Sequence, residues 1–190
     1  MTPPIDRETL QAEFGPDELI RFPEAVVATV RHEPSARFLR EVGIPARPNP
    51  WFDLVDGSEA EARTLGECYD DLRERWTDLP EGAENWLLLG MVPYDDIALD
   101  GVTGTVRCLP GDESDVYPLN QDLDSFASFL YLLEKERPHY DFESELEVID
   151  PEGAARRLTE RMREIDPAAL AVEGSRWHDI LEYVESPEAR

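Results

Sequence analysis

Hydrophobic positions along the chain fall into helical stripes at both ends and short extended runs in the middle. Leu10 and Phe14 stand four apart behind Asp6, a suitable N-cap, and Gly15-Pro16 stops the run, which predicts a short opening helix. Leu19-Ile20-Arg21-Phe22 ends at Pro23 and reads as extended. Pro34 suits a first helical turn, Phe38, Leu39 and Val42 share a stripe, and Gly43 followed by Pro45 closes that helix. Prolines at 45, 48 and 50 predict a stiff connection, after which Trp51–Val55, bounded by Asp56-Gly57, reads as a strand. The stretch Glu59–Trp76 supports two readings. Leu65, Tyr69, Leu72 and Trp76 have helical spacing, whereas Gly66 interrupts it and Thr64–Tyr69 also suits a strand.

In the centre, Trp86–Leu89, Asp96–Leu99 and Thr105–Leu109 are short runs separated by turn chemistry. Gly90 and Pro93 punctuate the first gap, and Asp100-Gly101 with Gly104 the second. Val116-Tyr117-Pro118 adds a further edge strand, its proline placed where a missing donor does little harm. Connections this short predict antiparallel neighbours. Three helices follow. The first is capped by Asn120, with Asp122 and Asp124 in its first turn and Leu123, Phe126, Leu130 and Leu133 on one face. Asp150-Pro151 opens the second, which carries Ala155, Leu158, Met162 and Ile165 and breaks at Asp166-Pro167. Ser175 caps the third, whose stripe is Trp177, Ile180, Leu181 and Val184. The expected architecture is α+β: a central antiparallel sheet of short strands packed by N-terminal and C-terminal helices, in a single domain over residues 1–190.

Composition narrows the possible roles. Of 190 residues, 43 are acidic and 18 basic, a net charge of −25, so direct binding of nucleic acid or of anionic lipid is disfavoured by repulsion. A hydrophobic share of 41% with four Trp, seven Phe and six Tyr supports a packed core rather than a disordered acidic tail. The opening residues lack a basic region followed by an apolar stretch, and no apolar run approaches the roughly 18 residues of a membrane span; a cytoplasmic protein is expected. Cys68 and Cys108 are too few for a four-cysteine zinc site and read as free thiols, with a single disulfide as the alternative.

Reactive chemistry is sparse. His32, His139 and His178 are scattered, Lys135 is the only lysine, and neither a phosphate-binding loop nor a serine nucleophile elbow occurs. Carboxylate pairs are frequent: Asp70-Asp71, Asp95-Asp96, Asp112-Glu113 with Asp115, and Asp122 with Asp124. So acidic a chain produces such pairs by composition alone, and no glycine-containing calcium loop accompanies them. No enzyme activity and no cofactor are therefore expected, although Asp95 and Asp96 holding a metal is one alternative.

The ordered segments resemble the SUKH superfamily of immunity proteins, specifically its fourth subfamily. The similarity is carried by His32-Glu33-Pro34-Ser35 leading to Phe38–Pro45, by Leu89-Gly90, by Leu99–Val106, by Leu119-Asn120 before Ser125–Leu133, by Ile165–Leu170, and by Trp177 with Ile180-Leu181-Glu182. It spans about residues 20–185, and Asp53–Glu84 matches no part of it. The resemblance implies an α+β fold and a role in polymorphic toxin systems. There, relatives protect the producing cell by binding nuclease or deaminase toxins, with no chemistry and no cofactor.

The expected function is thus a cytoplasmic immunity protein that neutralises a cognate toxin by stoichiometric occlusion. Its partner would present a basic surface, drawn in by the negative field. Asp70, Asp71, Asp95, Asp96, Asp112, Glu113 and Asp115 are candidates for an acidic rim, and Trp51, Tyr69, Trp76 and Tyr94 for aromatic anchors. A regulatory or scaffold module of the same fold, with no toxin partner, is the alternative.

Overall fold

A computed structural model describes residues 4–45, 51–55, 62–141 and 150–186. The opening helix, α1 (Arg7–Phe14), is capped as expected, with the Asp6 carboxylate accepting the Thr9 N–H at 2.8 Å. Strand β1 (Leu19–Ile20) pairs antiparallel with β2 (Ile44–Pro45). Between them lie α2 (Glu24–Val27) and α3 (Glu33–Arg37), the latter passing into a π-helical turn, Phe38–Val42, that Gly43 ends. The expected strand at Trp51–Val55 is reduced to β3 (Asp53–Leu54). Both helical turns of the next stretch are short, α4 (Leu65–Cys68) and α5 (Leu72–Arg75), so the helical reading of Glu59–Trp76 holds for two separate turns and the strand reading of Thr64–Tyr69 is reduced to a single bridge from Thr64 to Leu87. Most of the proline-rich connection, residues 46–50, and the turn at 56–61 lie outside the described residues.

The centre is an antiparallel meander of β3, β4 (Leu87–Val92), β5 (Asp95–Leu99), β6 (Val106–Leu109) and β7 (Tyr117–Asn120), in that spatial order. Gly90 lies inside β4 rather than in the turn. The register shifts there, and a Cβ on Gly90 would stand 2.3 Å from the Asp53 carbonyl oxygen, so only glycine lets β3 approach.

β5 is buried at all five positions because both faces of the sheet are covered. Ile97, Leu99, Val106 and Cys108 face a large cluster, while Ala98 and Leu109 face a smaller one built with Leu65, Leu72, Trp76 and Trp86. The large cluster is completed by α6 (Leu123–Glu136), α7 (Pro151–Ile165) and α8 (Arg176–Glu185). At its centre Trp177 packs against Phe52, Phe126 and Phe129, and its indole N–H is shared by the Leu119 carbonyl and the Asn120 side chain.

Two expected caps are assigned differently. Asp122, not Asn120, caps α6, accepting the Ser125 N–H at 2.8 Å. Asn120 instead ends β7, where its amide donates to Asp166. Ser175 does precede α8, yet its hydroxyl makes no capping bond and is buried without a partner. Asp166, where α7 breaks, is fully buried and accepts from Asn120, from the Gln121 N–H at 2.8 Å and from the Ala169 N–H at 3.2 Å. Its carboxylate thereby joins the end of α7 to the end of β7.

Candidate functional site

The meander brings two loops to the same end of the sheet: the β4–β5 turn at Pro93-Tyr94 and the β6–β7 connection at residues 110–116. Pro93 supplies the fixed φ that a tight turn begins with. Tyr94 then adopts φ +68°, a conformation that favours glycine or asparagine, and its side chain is 87% exposed. The other non-glycine residue with positive φ among the described residues is Glu113, in the second loop. The loops touch. A Cβ on Gly111 would lie 2.0 Å from the Tyr94 carbonyl oxygen, so a residue without a side chain is needed there.

Beneath this contact, Asp95 and Asp96 point to opposite faces, as successive strand residues must. Asp95 is 2% exposed and forms a two-pronged ion pair with Arg176, the first residue of α8; one prong, Arg176 Nη2 to Asp95 Oδ1, measures 3.0 Å. It also accepts the Gly111 N–H at 3.0 Å and lies 3.5 Å from the Cys108 thiol. Asp96 accepts the Tyr69 hydroxyl on the other face. Burial holds its carboxyl above the ordinary carboxylate range, with the Tyr69 bond pulling the other way. Burial, reinforced by Asp96, pushes the Tyr69 phenol up to about 12, and burial alone dominates the rise of the Cys108 thiol to about 12.

The two aspartates are therefore interior struts, not parts of a solvent-facing rim. Their carboxylates are directed away from each other into separate bonds, which does not suit a shared metal ion. Among the described residues no group of three or more His, Cys, Asp or Glu side chains is placed to hold one.

The remaining sequence-selected residues divide by depth. Asp112, Glu113 and Asp115 are exposed around the second loop, and Asp112 is held below the ordinary carboxylate range by hydrogen bonds from Ser114. Glu113 lies 3.5 Å from Arg75, whose guanidinium sits over the rings of Tyr69 and Trp76. Trp76 is 2% exposed and donates to the Pro110 carbonyl at 3.0 Å, so it braces the loop from inside the core. Tyr69 is partly buried beside it. Asp70 and Asp71 are exposed but line a different shallow depression, with Arg73 and Glu84.

Trp51 joins Tyr94 in a depression of about 530 Å³ that also takes in Val92, Pro93, Ile180 and Tyr183. Trp51 packs between Tyr140 and Tyr183, with ring centroids 5.6 and 5.5 Å away. An aromatic depression thus adjoins the acidic loop, with Arg176 and the exposed Asp179, 2.8 Å apart, closing it on the α8 side. The contribution of α8 did not emerge from the sequence reading. One signal was available: Arg176 stands at the positive end of a helix, an unfavourable place for a cation unless a carboxylate is paired with it.

No helix among the described residues is long and apolar enough to cross a membrane. The family model described as SUKH-4 immunity protein matches residues 5–183. No curated protein and no solved structure matches the chain.

Proposed function

The chain belongs to the SUKH-4 immunity protein family, and on that premise we propose that it is a cytoplasmic protein that neutralises a cognate polymorphic toxin by occupying it stoichiometrically. In this reading the protein performs no reaction and needs no cofactor. The toxin is a nuclease or deaminase, whose nucleic-acid site is necessarily cationic.

The observation that carries the reading is the placement of Tyr94. A large aromatic side chain is held in solvent by a backbone conformation that most residues avoid, beside an apolar depression and an acidic loop. Backbone strain retained on a surface turn is a cost with no benefit to folding, and such outliers concentrate where function requires a side chain to be presented. Tyr94 is the anchor in this proposal, with Trp51 beside it. Asp112, Glu113 and Asp115 form the rim, Asp179 extends it, and Asp70 and Asp71 contribute to the field from their own depression. Asp95, Asp96, Tyr69 and Trp76 hold the presenting loops in place. A stable complex of this kind covers about 800 Å² on each partner.

The test is co-expression with a candidate toxin domain from a neighbouring reading frame. Survival with the parent protein is expected, and loss of survival with Tyr94→Ala while the purified variant keeps its melting temperature. Indifference of the cells to the parent protein would instead favour a regulatory or scaffold module.

A further inference from the structure

The opposite end of the sheet carries a second, chemically different depression of about 630 Å³, at the β5–β6 turn. Arg107 of β6 lines it, with Arg31, Trp86 and Val102. Among the described residues, the arginines that are at least partly buried are otherwise matched to oxygen. Arg7 donates to the Val42 carbonyl, and Arg75, Arg137, Arg157 and Arg176 face carboxylates. Among the described residues Arg107 has no such acceptor. Its Nε is buried without a hydrogen-bond partner, and its guanidinium rests 5.5 Å from the centre of the Trp86 ring.

Burying that Nε–H without an acceptor is costly, and the cation–π contact offsets only part of that cost, while the partly exposed remainder of the guanidinium stays open to a ligand. Arg31, exposed on the same depression, adds a second positive charge and makes no ion pair among the described residues. Of the two lining acids, Asp100 is folded into its own turn, accepting the Val102 and Thr103 N–H groups at 2.9 and 3.2 Å, and Glu81 is exposed. Val102, 65% exposed, offers an apolar wall.

We infer that this depression binds a small organic monocarboxylate, its carboxylate on Arg107 and Arg31 and its apolar body against Val102 and Trp86. The planar guanidinium matches a carboxylate in two-pronged geometry. The net charge of −25 selects against dianions such as phosphate, which are repelled more strongly at long range than a monoanion. The site is independent of the toxin-facing end.

The experiment is an NMR titration of the full chain with sodium isovalerate at constant ionic strength, with inorganic phosphate in parallel, following the Arg107 Nε–H and Trp86 indole N–H signals. Saturable shifts of both signals with isovalerate are expected, at lower concentration than with phosphate. Arg107→Gln is expected to weaken binding about tenfold or more, and Arg31→Gln about twofold to fivefold. Absence of saturation in the parent protein, tighter binding of phosphate, or undiminished isovalerate binding in both variants would overturn the assignment. The parent titration and Arg31→Gln decide the matter even where Arg107→Gln does not fold.

Discussion

At Tyr94 a stability cost coincides with the proposed binding role. Glycine reaches φ +68° freely, so Tyr94→Gly should raise stability by roughly 1 kcal/mol, read as a higher urea midpoint, while weakening toxin binding. A variant that loses stability would show that the turn is not strained. Asp96 gives a second expectation. Burial holds its carboxyl above the ordinary aspartate range, so the folded protein binds that proton more tightly than the unfolded chain does. The contribution is largest below the unfolded value and is lost as pH rises through the folded one. The parent should therefore lose stability relative to Asp96→Asn as pH is raised from about 3 to neutrality, measured by urea midpoints. The types of these residues were readable in the sequence, but their depth was not. Asp95-Asp96 and Asp112-Glu113 look alike as strings, and only strand pairing separates struts from surface.

Elements were more legible than residues where a stop or a cap is local chemistry. Asp6, Gly43 and Asp150 each mark a helix boundary using groups within a few residues, and the three central strands follow from turn spacing. Boundaries set by distant partners were not legible. Position 90 needs glycine because β3 approaches it, and Asn120 is engaged by Asp166 and Trp177 instead of capping. The tether between α8 and β5 is of the same kind, since 81 residues separate Arg176 from Asp95. Arg176→Met should cost about 3 kcal/mol, because it leaves a buried carboxylate without its cation. The double variant Asp95→Leu with Arg176→Met should be less destabilised than the single one. Denaturant titration of the parent, both single variants and the double variant tests this, and additive losses would show that the pair is not coupled.

For the molecule as a whole, fold class followed from the order of helical and extended patterns, while the arrangement of charge did not, because acids occur along the entire chain. Folding sorts them, leaving Asp112, Glu113 and Asp115 exposed on the β6–β7 loop and Asp179 exposed at the aromatic depression. Reversing these four to lysine should slow association with the toxin by about tenfold or more at low salt and flatten its salt dependence, measured by stopped flow. An unchanged rate would remove electrostatic steering from the account. The order of the meander carries a separate consequence. Its outermost strands are β3, two residues long, and β7, where Pro118 lacks an amide donor. Neither offers the run of open backbone groups on which a foreign polypeptide could extend the sheet. On the proposed reading, recognition is left to side chains on turns, which can be exchanged without disturbing a ladder. Descendants of this protein would then follow a changing partner by substitution at Tyr94 and at the exposed positions 112–115, with Gly111 and strands β4, β5 and β6 untouched.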